Sequence, residues 1–311
     1  MHLSLIFLIL IASILLLYIG AHYLVKGSAN IARILGVKPL IVGLTIVAFG
    51  TSMPEFLVSM FGVLQNAADI SVGNIIGSNI ANIGLILGTA GLIAPISLKY
   101  GHIRLQLLIL FLASLFFCIL AYDGISRTDG IIFLVVIIIY VVYLIKSSRE
   151  EEVSAELPKT DHSLPRNIVF ALGGILALVF SSRGVIYSAS NIATHFGISQ
   201  MVIGMTVVAI GTSLPELAAS IAAQIKRESD ISIGNVIGSN MFNMFFVGGG
   251  AASIRGIPIN ISIFNFEVPF MLLFTIILFP VIFFSKGIKR VHAAVFLLLY
   301  IVFIVISYTG R

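Results

Sequence analysis

The sequence predicts an all-α integral membrane protein of ten transmembrane helices, arranged as two five-helix repeats of inverted topology. Three observations carry this. Of 311 residues, 59% are hydrophobic and only 10% are charged, a surplus of apolar side chains that a water-solvated domain could not cover. Apolar runs long enough to span a bilayer, roughly 20 residues each, recur between short polar breaks. A shift of 161 positions superposes one half of the chain on the other, with no gap over the matched blocks.

In order, the spans run approximately 3–24, 39–64, 70–94, 104–121, 130–146, 166–187, 200–224, 231–253, 267–284 and 291–308. The first lacks a basic leader and outruns the apolar stretch of a signal peptide, so it reads as a retained helix. Lys and Arg set the orientation. Arg127, Arg183, Arg255 and Arg311 fall on one side, and the other fourteen of the 18, from Lys26 to Arg290, fall on the opposite side. The positive-inside rule makes the rich side cytoplasmic and places both termini outside, for a multi-pass protein of the cell membrane. The basic residues are therefore topology signals in contact with the lipid bilayer, and no nucleic acid or obligatory protein partner is implied. The cytoplasmic connection 147–165 carries Glu150, Glu151, Glu152, Glu156 and Asp161. It reads as a solvated linker, too short to be a folded regulatory domain, between the repeats 1–146 and 166–311. A lone Cys118 excludes an intramolecular disulfide.

The repeat is densest in two blocks. GLTIVAFGTSMPEFLVS, from Gly43 to Ser59, matches GMTVVAIGTSLPELAAS, from Gly204 to Ser220. DISVGNIIGSNIAN, from Asp69 to Asn82, matches DISIGNVIGSNMFN, from Asp230 to Asn243, so the motif regions are 43–82 and 204–243. The register holds upstream, where Asn30-Ile31-Ala32 meets Asn191-Ile192-Ala193. Five spans per half is an odd number, so the second half enters the membrane in the opposite sense. Secondary transporters use that arrangement, with the site near the midplane between repeats. Channels carry repeats too, so symmetry alone does not assign the activity.

Glu55 and Glu216 fall mid-span, whereas Arg183 and Glu267 lie near span ends, where long side chains reach the headgroups. A carboxylate at the helix centre costs about 3 kcal/mol by insertion scales, and no basic residue is placed to compensate it. Pro54 and Pro215 lack an N–H, which frees the carbonyls of Gly50 and Gly211 and allows those around Ala48–Thr51 to turn into a cavity. Ser52 and Ser213 add hydroxyls, and Thr51 and Thr212 share a helical face with the glutamates. Asn74, Ser78 and Asn82 share a face on the next span, as do Asn235, Ser239 and Asn243. Gly73, Gly77, Gly234 and Gly238 let helices approach closely. Oxygen ligands with no His or Cys suit hard cations, Ca²⁺ above all, and two carboxylates balance one Ca²⁺. Ser, Thr and Asn also serve as plain interhelical glue, a reading that two matched buried carboxylates do not admit. HExxH, Cys/His clusters and GxSxG are absent from the sequence, so it reads as a transporter with no cofactor rather than an enzyme.

The paired GTSxPE and GNxxGSN signatures resemble the alpha-repeats of the calcium/cation antiporter superfamily, in its sodium/calcium exchanger branch and compact prokaryotic form. The resemblance covers both halves and implies exchange of Ca²⁺ for Na⁺ by alternating access. It implies that Glu55 and Glu216 bind Ca²⁺ with the carbonyls of Thr51 and Thr212. Flanking sodium sites would take the Ala48 carbonyl, Ser78 and Glu55, and the Ala209 carbonyl, Ser239 and Glu216, with Asn82 and Asn243 lining the centre. Amides at both central positions resemble the potassium-independent exchangers, and three sodium ions per calcium, the family's habit, would make transport electrogenic. Spans 1 and 6 would be the moving gate. A Ca²⁺/H⁺ or other cation antiporter is the alternative within the class, and a cation channel the alternative outside it.

Overall fold

The computed structural model describes residues 3–98, 100–147, 163–197 and 209–309. Its long helices are α1 (Leu3–Leu35), the bent pair α2 (Pro39–Thr51) and α3 (Met53–Leu64), α4 (Ala68–Ile93), α5 (Tyr100–Ala121) and α6 (Arg127–Ser147). The second half supplies α7 (Leu164–His195), α8 (Ala209–Thr212), α9 (Leu214–Ile225), α10 (229–254), α11 (Glu267–Ser285) and α12 (Arg290–Thr309). Two-residue strands β1 (Ile96–Ser97) and β2 (Gly287–Ile288) pair antiparallel, Ile96 opposite Ile288. Ile125 and Ile257 form a matching antiparallel bridge, and Ile257 stands 161 residues after Ile96.

Among the described residues, seven helices are long and apolar enough to cross a membrane, eight with α2 and α3 taken as one broken span. Helix α10 is not among them. Every residue from Ile231 to Phe242 is buried, so small and polar side chains stand where a lipid-facing helix would need apolar ones. The lipid face is plain elsewhere. On α1, Leu8, Ile11, Leu15 and Tyr18 are exposed at helical spacing, an apolar stripe suited to acyl chains and not to water.

The first and sixth spans are longer than hydropathy predicts. Helix α1 continues to Leu35 instead of stopping near 24, and α7 runs to His195 instead of 187. They pack antiparallel through small residues, with Gly20 against Ala177 and Gly27 against Asn167 and Ala171. A Cβ on Gly174 would lie 2.7 Å from the Gly20 carbonyl oxygen, so the backbones touch as only glycine allows. Gly174→Val is expected to cost about 1–3 kcal/mol by overpacking, seen as a lower thermal midpoint of the purified protein. Arg183, expected near a span end, lies well inside α7 on an exposed face, while Glu267 does open its helix.

Packing divides the molecule in two. One apolar core joins α2–α6 and α10–α12; a smaller one joins α1 and α7 to Val47 of α2, Ala219 and Ala223 of α9 and Ile231 of α10. Arg33 of α1 pairs with Glu228 just beyond α9, and Asn30 donates to Asn167 Oδ1 at 3.0 Å.

The turns after α3 and α9 repeat atom for atom. Asn66 and Arg227 have φ of 59° and 60°. The next N–H, of Ala67 or Glu228, returns to the carbonyl of Gly62 or Ala223 at 2.8 Å. Each is a left-handed helix cap of the Schellman type.

Candidate ion-binding site

Both glutamates sit in the first turn of a helix that restarts after a break. Helix α2 ends at Thr51, Ser52 is non-helical, and α3 begins at Met53 with Pro54 in its first turn and leaves at 44°. Proline suits that position because the first-turn N–H groups have no helical acceptor anyway. Thr212, Ser213, Leu214 and Pro215 repeat the arrangement at the α8–α9 junction. Glu55 and Glu216 therefore stand at helix N-termini, where the peptide dipoles favour negative charge. The interruption is a bend, not a long unwound stretch. The Ala48 carbonyl stays in the ladder, accepting the Ser52 N–H at 3.0 Å and the Thr51 hydroxyl at 3.4 Å. In the second half the Ser213 N–H turns tighter, to the Ile210 carbonyl at 3.2 Å. Ala209 opens the described part of that helix, and residues 204–208 of its motif lie outside the described residues, as do residues 148–162 of the acidic linker.

The side chains cross between halves. Ser52 Oγ donates to Glu216 Oε1 at 3.2 Å, and Ser213 Oγ donates to Glu55 Oε1 at 3.4 Å. Each serine thus aims the opposite carboxylate. Glu55 and Glu216 are 1% and 0% exposed, and the second carboxylate oxygen of each has no hydrogen-bond partner. Buried acceptors are almost always satisfied, so two unsatisfied carboxylate oxygens ask for a ligand. The same holds for Ser239 Oγ, Asn82 Oδ1 and both side-chain polar atoms of Asn243, all buried and unpartnered. Thr51, Thr212 and Ser78 are buried with them, and Thr51 Oγ1 donates to Asn235 Oδ1 at 3.2 Å.

Two further residue pairs brace the glutamates. Asn74 Nδ2 donates to the Glu55 carbonyl at 3.0 Å and to Ser59 Oγ at 2.8 Å. Asn235 Nδ2 does the same to Glu216 at 3.2 Å and Ser220 at 3.0 Å. Ser59 and Ser220 escaped the sequence reading, although each stands four residues after its glutamate and so on the same helical face. Wide π-helical turns open at Asn82 (Asn82–Leu87) and Asn243 (Asn243–Val247). Such turns cluster at functional sites, but these carry no sequence signal.

The glycines of α10 show how closely its neighbour approaches. On α10, a Cβ at Gly234 would lie 2.6 Å from the Leu40 carbonyl, and one at Gly238 would lie 2.6 Å from the Leu44 carbonyl and from Ala48 Cβ. Helix α2 is thus sealed onto this face of α10. Positions 201 and 205, which match Leu40 and Leu44 and would face Gly73 and Gly77 of α4 in the same register, lie outside the described residues.

The chain matches the family described as sodium/calcium exchanger protein over residues 5–146 and 166–309. Its relatives include the inner membrane protein YrbG of Escherichia coli, 37% identical with 86% of each chain covered. They include the sodium/calcium exchanger MaX1 of Methanosarcina acetivorans, 31% identical over 97% of this chain and 98% of that one. A solved structure of the sodium-calcium exchanger NCX_Mj covers all of both chains at TM-score 0.87 and 32% identity.

Proposed function

The chain belongs to the sodium/calcium exchanger protein family, as a compact member of prokaryotic type, and we propose that it exchanges Ca²⁺ for Na⁺ by alternating access at Glu55 and Glu216. As a multi-pass membrane cation antiporter it needs one site that opposing ions share. The observation that carries the reading is the set of buried oxygens left without partners, centred on two carboxylates from opposite halves. No Lys or Arg pairs with either carboxylate among the described residues, so a transported cation supplies the missing charge. Calcium takes six to eight oxygens. Glu55, Glu216 and the carbonyls of Thr51 and Thr212 supply its nearest ones. Flanking sodium ions use Ser78 with the Ala48 carbonyl, and Ser239 with the Ala209 carbonyl. Asn82 and Asn243 line the centre, and Ser52 and Ser213 hold the carboxylates in place.

The reading extends to topology. The ten spans form two inverted five-helix repeats, 1–146 and 166–311, joined by the cytoplasmic linker 147–165, with both termini extracellular. Equivalent turns, equivalent hydrogen bonds and antiparallel α1 and α7 support it. Helices α1 and α7, which share a smaller core with a few residues of α2, α9 and α10, are the gate. Sodium as counter-ion is supported by relatives named sodium/calcium exchangers, and potassium independence by amides at 82 and 243.

The test is radiolabelled calcium uptake into sodium-loaded proteoliposomes. Uptake requires an outward sodium gradient and ignores potassium. With three sodium ions leaving per calcium, one net positive charge leaves, so an inside-positive potassium diffusion potential accelerates uptake. Flux insensitive to potential refutes electrogenic exchange. Uptake driven by a proton gradient and indifferent to sodium moves the protein to Ca²⁺/H⁺ antiport, and flux needing no counter-ion makes it a channel.

A further inference from the structure

Asn79 and Asn240 follow the site serines in each GSN motif and are 2% exposed. Neither has a part in the ion site described above. Hydrogen bonds around Asn240 nevertheless form a directed series. Its Nδ2 donates to the Asn79 main-chain carbonyl at 3.4 Å. A main-chain carbonyl only accepts, so the nitrogen side of the Asn240 amide must face it. That leaves Asn240 Oδ1 toward α4, where it accepts from Asn82 Nδ2 at 2.9 Å. The Asn82 amide is thereby held by its nitrogen, and its Oδ1 is left buried and unpartnered.

We infer that Asn240 is a positioning residue that fixes the Asn82 amide with its oxygen, not its NH₂, available to the transported cation. The inference rests on the reading of Asn82 as an ion ligand. An amide oxygen attracts a cation and an amide N–H repels one, so a half-turn of Asn82 would replace a ligand with a repulsive group. Asn240 forbids that half-turn, because the turned amide would set its oxygen against Asn240 Oδ1. The equivalent device in the other half is not built. Asn79 Nδ2 donates instead to the Ile75 carbonyl of its own helix at 2.8 Å, and Asn243 has both polar atoms unpartnered. Orientation is therefore preset at Asn82 and adjustable at Asn243, an asymmetry within an otherwise repeated site.

Sodium-driven calcium uptake by the full-length protein in proteoliposomes tests this as a double-mutant cycle. Asn240→Leu keeps the number and branching of the side-chain heavy atoms and removes the acceptor. Asn240→Ala removes the acceptor with less bulk, and serves if the leucine variant does not fold. The expected result is a KM for calcium raised about tenfold in Asn240→Leu and in Asn82→Ala, with kcat within about twofold of wild type, and no further rise when the two are combined. Multiplying effects in the double variant would show that Asn240 acts through packing, and would overturn the inference. A KM raised by Asn82→Ala but unchanged in both Asn240 variants would overturn the positioning role alone and leave the ion site standing. An unchanged KM in Asn82→Ala would remove Asn82 as a ligand, and the inference with it.

Discussion

Glu55→Gln and Glu216→Gln are each expected to lower sodium-driven calcium uptake at least about 100-fold without unfolding the protein. The substitution preserves shape, and the glutamine Oε1 still accepts from Ser213 or Ser52, as the carboxylate oxygen does. What changes is charge: the site falls from two negative charges to one and no longer neutralises Ca²⁺. A loss of about 2.7 kcal/mol corresponds to 100-fold, and a charge-assisted interaction with a divalent ion in an enclosed site is worth at least that. Stability should move the other way. In the absence of ions a buried carboxylate is a cost of about 3 kcal/mol at the helix centre, so the neutral variants are expected to melt at or above the wild-type temperature. Calcium should raise the wild-type melting temperature by mass action and leave the variants where they are. The paired readout separates a lost ligand from a lost fold. Uptake retained in both variants would mean that the unpartnered carboxylate oxygens serve something other than transport.

Much of this site was legible in the sequence because its chemistry is expensive. Two carboxylates inside apolar runs, matched at a spacing of 161, need a reason, and Pro54 and Pro215 mark the breaks beside them by simple lack of an N–H. Other features were hidden for physical reasons. Hydropathy ended the first span near residue 24 because His22, Lys26, Ser28, Asn30 and Arg33 resemble a loop. Those residues lie on a helix continuing past the apolar stretch, held by close packing of Gly20 and Gly27 on α7. The backbone around Ala48 looked free to unwind, yet a single helical hydrogen bond to Ser52 confines the break to one bend. The bracing of each glutamate by Asn74 or Asn235 depends on how α4 meets α3 and how α10 meets α9, which spacing within one helix cannot reveal.

How tightly a small-residue face closes cannot be read from spacing alone, and Gly73 and Gly77 match Gly234 and Gly238 residue for residue. The closure of α2 on α10 yields the sharpest test of alternating access. Gly238→Val would drive a side chain into the Leu44 carbonyl and Ala48 Cβ, where even a Cβ lies at 2.6 Å. Overpacking of that kind costs about 1–3 kcal/mol, and 3 kcal/mol depopulates one conformer more than 100-fold. The variant is expected to lose the conformer in which α2 seals against α10, to melt earlier, and to stop transporting. Gly77→Val makes the matching change on α4, and it should still fold and bind calcium. If the halves exchange roles during turnover, however, the face of α4 must at some stage close as tightly as that of α10. The valine then blocks that closure, and uptake falls about 100-fold while calcium-induced thermal stabilisation persists. Binding without turnover in Gly77→Val is thus the signature of a face that is open in one conformer and sealed in the other. Full turnover in that variant would mean that the face never seals, and exchange by alternation of the two halves would have to be abandoned.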